Sequence, residues 1–115
     1  MYVTAHFSAQ LGIWNECLSS DRAFITAIKH IAKANIMATL AILEVQPAAR
    51  FIQSESSEYF HPADPDAVKL ARHMNARRFL SLDLCYGYDL SATMYEYLLD
   101  NGMTREEFHF FLDHN

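Results

Sequence analysis

Glycine and proline are scarce in this chain, three of each in 115 residues. Tight turns are therefore few, which excludes a sandwich of many short strands and leaves helices as the dominant element. Cysteine is scarcer still. Cys17 and Cys85 stand far apart and in no paired motif, so neither a disulfide framework nor a zinc knuckle is signalled, and reduced thiols in a cytoplasmic protein are expected. Positive charge is also in short supply. The net charge is −5, and the balance shifts from +1 over residues 1–50 to −6 over residues 51–115. A nucleic-acid partner needs a basic face, and none is present. The nearest thing to one, Arg72, Arg77 and Arg78, lies among acids and reads as a solvated helix face. No long apolar run exists either. The longest helical stretch is broken by Lys29, His30, Lys33 and Asn35, so no membrane span is expected. The first residues show no charged region followed by an apolar core, and no signal peptide is expected.

What the chain does have is apolar content, 51 % of its residues against 20 % charged. This is a globular composition, enough for one domain of ordinary size. Residues 2–18 mix aromatic and polar residues around Gly12 and read as a short helical turn or loop with its aromatics packed inward. Ser20 and Asp21 open a helix, the first as a cap and the second at the positive end of the dipole. Phe24, Ile28 and Ile31, with Ile25, Ile36, Leu40 and Leu43, recur at three- and four-residue steps up to Gln46, and Pro47 ends the helix. Phe51 and Ile52 are strand formers, and the short run Arg50 to Ser54 reads as a strand buried on both faces. Alternation puts Phe51, Gln53 and Glu55 on one side of it. Asp64, Pro65 and Asp66 start the next helix, expected to run to about Leu84 and to stop at Gly87. Ala92 to Asp100 is a further helix closed by Asn101-Gly102, and Thr104 to Glu107 is the capping box of the last. A lone strand cannot make a sheet, so this one must pair with strands supplied by something else.

Few residues carry an obvious chemistry. Glu55 and Glu58 lie at the end of the expected strand, where α/β architectures bind ligands. Glu-x-x-His occurs at Glu58–His61 and Glu106–His109. The first copy abuts Pro62 and follows a strand, while the second sits in a first helical turn, so a di-iron bundle is poorly supported. There is no Gly-x-Ser-x-Gly elbow around Ser54, Ser56 and Ser57, no histidine at a telling distance from Cys85, and no glycine-rich phosphate loop. His30 and His73 read as surface or satisfied helical residues. Asn15-Glu16 is a weak acid/base signal. No metal and no cofactor is expected.

The run Phe51-Ile52-Gln53-Ser54-Glu55-Ser56-Ser57-Glu58-Tyr59-Phe60-His61 resembles family 1 glycoside hydrolases, the β-glucosidase-like (β/α)₈ barrels, in a divergent bacterial branch. Tyr2-Val3-Thr4-Ala5, Asp21-Arg22-Ala23-Phe24, Ala32-Lys33-Ala34-Asn35-Ile36, Arg77 to Leu84 and Met94 to Thr104 resemble the same group, so the likeness extends over nearly the whole chain. It implies an α/β fold: residues 1–115 would be one segment of a TIM barrel, mostly helical, holding the fourth barrel helix, a fifth strand at about residues 50–55 and the helices after it. The acid/base Asn-Glu pair would fall just before Met1 and the nucleophile beyond Asn115. Glu16 lies too late in the chain to inherit the first role. His6 stands where the group would have arginine. The resemblance implies a retaining O-glycoside hydrolase acting in carbohydrate metabolism. This chain would hold no catalytic residue and be inactive alone, with Gln53 and Glu55 facing the carbohydrate and Tyr59 at the rim. A complete barrel takes about 250 residues, and retention requires two carboxylates about 5–5.5 Å apart, which one strand cannot position. The alternative is a small helical interaction module that self-associates through its exposed strand edge.

Overall fold

A computed structural model describes residues 1–56, 58–88 and 90–114. Helices α1 (Tyr2–Ala5), α2 (Asp21–Val45), α3 (Val68–Arg78), α4 (Leu80–Tyr86), α5 (Ala92–Asp100) and α6 (Arg105–His114) make up the fold. A π-helical turn, His6–Gln10, continues α1, and a 3₁₀ turn, Pro65–Ala67, leads into α3. Among the described residues there is no strand.

The helix boundaries follow local chemistry. Ser20 is extended and its hydroxyl accepts the Ala23 amide at 3.0 Å, which satisfies one orphan donor of α2. Asp64 does the same for Ala67 at 2.9 Å, with Pro65 at the first position. Ser91 caps α5 through Met94. Thr104 and Glu107 form a reciprocal box: the Glu107 amide donates to the Thr104 hydroxyl at 3.1 Å, and the Thr104 amide donates to the Glu107 carboxylate at 2.9 Å. Glu107 also accepts from Lys29 at 2.8 Å, tying α6 to α2. At the other end of α4, Gly87 takes the left-handed conformation, φ 68°, that glycine adopts without steric cost.

α2 is about 37 Å long at 1.5 Å per residue and is the axis of the molecule. It packs chiefly on α4 and on the π turn. Phe24, Ile25, Ile28, Ala32 and Ile36 face inward and meet Tyr2, Leu80, Leu84, Met94, Leu98, Met103 and Phe111 in one core. The core stops at Ile36. Beyond it Met37, Leu40, Ile42 and Val45 are exposed, Val45 by 87 %. Leu43, the next residue of the stripe, is half-buried, and the four exposed side chains are spread around the helix rather than along one face.

The strand expected at residues 50–55 is absent, and with it the α/β class and the TIM-barrel segment: the described chain is a helical globule. The cause lies in the chain itself. A strand exists through its ladder, and nothing else here offers one. Over residues 47–60 the only described backbone-to-backbone bond is from the Ala49 amide to the Gln46 carbonyl. Instead of being buried on both faces, Ile52 is 97 % exposed and Phe51 42 %. The segment is held at its far end by Asn75, whose side chain donates to the Phe60 carbonyl and accepts the Phe60 amide at 2.9 and 2.8 Å.

Two further expectations change. The helix from Val68 breaks at Phe79, where 3₁₀-type bonding (Phe79 amide to Ala76 carbonyl, 3.2 Å) intervenes. In the last turn of α3, Arg77 and Arg78 are buried, at 2 % and 5 % exposure, while Arg72 is exposed. The three arginines are therefore not one solvated face. In the N-terminal segment Tyr2 is buried as expected, but Trp14 is 46 % exposed and leans on Phe7 at 5.0 Å. No described helix is long and apolar enough to cross a membrane.

Candidate functional site

Glu55 is the best-connected carboxylate of the segment. Its Oε1 accepts from the Gln53 amide at 3.2 Å, from the Ser81 hydroxyl at 3.1 Å and from the Met1 nitrogen at 3.2 Å. The side chain retains only 12 % exposure. The i, i+2 relation expected of Gln53 and Glu55 does bring them together. Tyr59 is not part of this cluster: it is 66 % exposed and its ring meets His61 edge-on at 4.8 Å. None of the three lines any of four clefts, of about 670, 940, 80 and 430 Å³, among the described residues.

Glu58 has a different environment from Glu55. It faces Arg78 Nε at 3.4 Å and is half-exposed. Its carboxyl is held below the ordinary range, mainly by the nearby Ser56 hydroxyl and by its own backbone amide, with Arg78 and His6 adding attraction. The two glutamates are thus both engaged, one by neutral and amino donors and the other by a guanidinium.

Ser81 and Arg78 are partners in this region that no motif in the sequence marks. Ser81 is fully buried inside Leu80-Ser81-Leu82-Asp83-Leu84. The one signal for it is a hydroxyl on the core side of an apolar helix, since a buried hydroxyl needs a partner. Arg78 is buried in the last turn of α3, and no local pattern marks it as Glu58's partner. The Glu-x-x-His pairs gather no partners: among the described residues no group of three or more His, Cys, Asp or Glu side chains is placed to hold a metal ion. Asn15 and Glu16 are exposed. His30 is exposed, and His73 is half-buried against Tyr97 at 4.7 Å. Cys17 and Cys85 are unpaired thiols, and burial pushes the Cys85 thiol up.

Asp83, next along α4, is pushed up to about 6 by burial. Its folded value lies above its unfolded one, so the ionised form costs stability above pH 6, and that cost fades as pH falls towards 4. Asp83→Asn is expected to stabilise the fold at pH 7 by about 1 kcal/mol after allowance for partial exposure. The gain should vanish near pH 4. Urea unfolding at the two pH values checks this, and an equal effect at both would contradict it.

No protein-family model, curated protein or solved structure matches the chain.

Proposed function

We propose that this chain is part of a glycoside hydrolase of the family 1 type, acting on O-glycosidic bonds, and that it contributes to a carbohydrate site without cleaving the bond itself. The observation that carries the first half of this reading is a surface the chain does not close on its own. The last turns of α2 present Met37, Leu40, Ile42 and Val45, and the segment after it presents Phe51 and Ile52 with its backbone groups unpaired among the described residues. Exposed apolar side chains beside bare amides and carbonyls support a surface that another part of the protein covers. The chemistry comes from the resemblance of Phe51 to His61 and its flanking stretches to that family. Gln53 and Glu55 are the proposed sugar-facing residues, here bonded to each other, with Tyr59 apart from them. A carbohydrate is the proposed partner of the intact protein, and a cytoplasmic location fits the two separate free thiols.

Sequencing the coding DNA on both sides of this segment tests the proposal. An in-frame continuation carrying Asn-Glu ahead of Met1 and a further glutamate well beyond Asn115 is expected. In-frame stop codons bounding both ends would sink it, as would turnover of an aryl glucoside by the purified 115-residue chain. The same open surface favours one rival, a small helical module that self-associates through residues 45–52. A monodisperse dimer with a cooperative melt in sedimentation and calorimetry would favour the module.

A further inference from the structure

His73 stands where α3 meets α5, and its surroundings favour one protonation state. Its ring packs against the Tyr97 ring of α5 at 4.7 Å, with the two planes at 80°. Along α3, positions 69, 73 and 77 lie one turn apart on one helical face, so Lys69 precedes His73 and Arg77 follows it. The residues three and four places from His73 are Lys69, Leu70, Ala76 and Arg77, and none is an acid. From α2 the facing group is Asp21. That carboxylate is already engaged, accepting from Gln10 at 2.7 Å and from Arg77 at 3.4 Å. Lys69, Arg72 and Asp66 share with His73 the cleft of about 940 Å³ beside the start of α5, and Asp66 is the one acid there. From α5 the facing group is Tyr97, which stays neutral because burial pushes its hydroxyl up to about 12.

The contact is built around a buried cation. The Arg77 side chain is 3 % exposed, lies over the Phe24 ring at 4.9 Å and donates to Met74 Sδ at 3.1 Å. Its Nε and the Tyr97 hydroxyl are buried without a hydrogen-bond partner among the described residues. No carboxylate is left over to receive a second positive charge beside it. His73 itself is half-buried. Burial, and then Arg77, hold it below its ordinary range, while Asp21 pulls the other way. The neutral ring is therefore the form that this contact accommodates. Its folded value lies below its unfolded one, so the contact is at full strength above about pH 6.5 and weakens as pH falls below that.

We propose that His73 is an acid-sensitive latch between α3 and α5: once protonated, it completes a row of three cations with Lys69 and Arg77, and α3 loosens from α5 while the packing of α2 on α4 persists. The release widens the cleft of about 940 Å³ and uncovers Met94 in its wall, which is 3 % exposed when the latch is closed. Asp83 works in the opposite sense over the same pH range, since its protonation removes a cost. The latch is therefore a local event, and a local measurement separates it from global stability.

The test is amide hydrogen exchange of the 115-residue chain, followed by NMR at about pH 7.5 and about pH 5 and corrected for the intrinsic exchange rates. Protection in the last turn of α3 and in α5 is expected to fall about threefold or more relative to α2, the scale of two like-charge pairs one turn apart. His73→Phe keeps a ring against Tyr97 and cannot titrate, so its protection should hold at both pH values. Lys69→Gln alters an exposed residue and should fold as the parent does. It should raise the pH at which His73 titrates and shrink the acid loss, and it decides the matter if His73→Phe does not fold. An acid loss of the same size in His73→Phe would overturn the latch, as would a loss spread evenly over all helices or no loss at all. Tighter protection in acid, the mark of an imidazolium held by the Tyr97 ring, would overturn it too, and so would an unmoved His73 titration in Lys69→Gln.

Discussion

Replacing Phe24 with alanine is expected to destabilise the fold by about 3–5 kcal/mol, the range for truncating a buried phenylalanine. Phe24 has no exposed surface, and its ring takes Tyr2 edge-on at 5.8 Å and carries the Arg77 guanidinium at 4.9 Å. The substitution removes the buried ring, leaves a cavity beside α1 and α2, and takes away the surface on which Arg77 rests. A chain of this size has about 5–15 kcal/mol of stability in total, so the variant should sit near the edge of folding at physiological temperature. A fall in melting temperature of more than about 10 °C follows from the size scaling. Phe24→Leu keeps most of the volume and should cost less than half as much. Urea denaturation followed by circular dichroism measures both, and a cost below about 1 kcal/mol for alanine would show that Phe24 does not organise this core.

Arg77 gives the second large effect, and the choice of replacement separates its packing from its charge. The side chain is 3 % exposed, while its partner Asp21, at 3.4 Å, is 48 % exposed. An ion pair open to water on one side contributes little. The buried stem contributes more, and Nε is buried with no hydrogen-bond partner. Arg77→Ala should therefore cost about 2–4 kcal/mol as a large-to-small core change. Arg77→Met retains the stem and removes an unsatisfied donor, and should fall within about 1 kcal/mol of the parent. Equal losses for Ala and Met would mean that the charge, not the packing, matters. A second readout is His73, which burial and then Arg77 hold below its ordinary range. In the methionine variant its titration by NMR should move up, since burial remains and the repulsion is gone.

Legibility from sequence varies with the range of the interaction involved. Ser20, Asp64, Gly87 and the Thr104–Glu107 box can be placed from the residues alone because each acts on backbone groups within four residues. The proximity of Gln53 and Glu55 is equally local, two residues apart on one side of the chain. Tyr59 does not join them because its direction depends on His61 and on the Asn75 clamp at Phe60, which no local pattern reports. The strand expected at 50–55 fails for a related reason. Phe51-Ile52 has the composition of a buried strand, yet strand formation needs a partner in space, and the described chain supplies none. Resemblance to a barrel family does not supply that partner either, so the barrel segment fails as a description of this structure.

The sequence by itself determined where most of the helices start and stop, that the chain is helix-rich, and which stripe of α2 is apolar. These depend on caps, on spacing at 3.6 residues and on scarce glycine and proline. Only the tertiary structure decided how far that stripe is buried, that Arg77 and Arg78 are buried, and that Ser81 and the Met1 nitrogen meet Glu55. It alone brought Ser8, Glu16, Arg22 and His30 to the walls of one cleft. The physical reason is one of distance: burial and hydrogen-bond partnership join residues up to 84 apart in the chain, as Met1 and Cys85 are, and such pairings leave no periodic trace in the sequence.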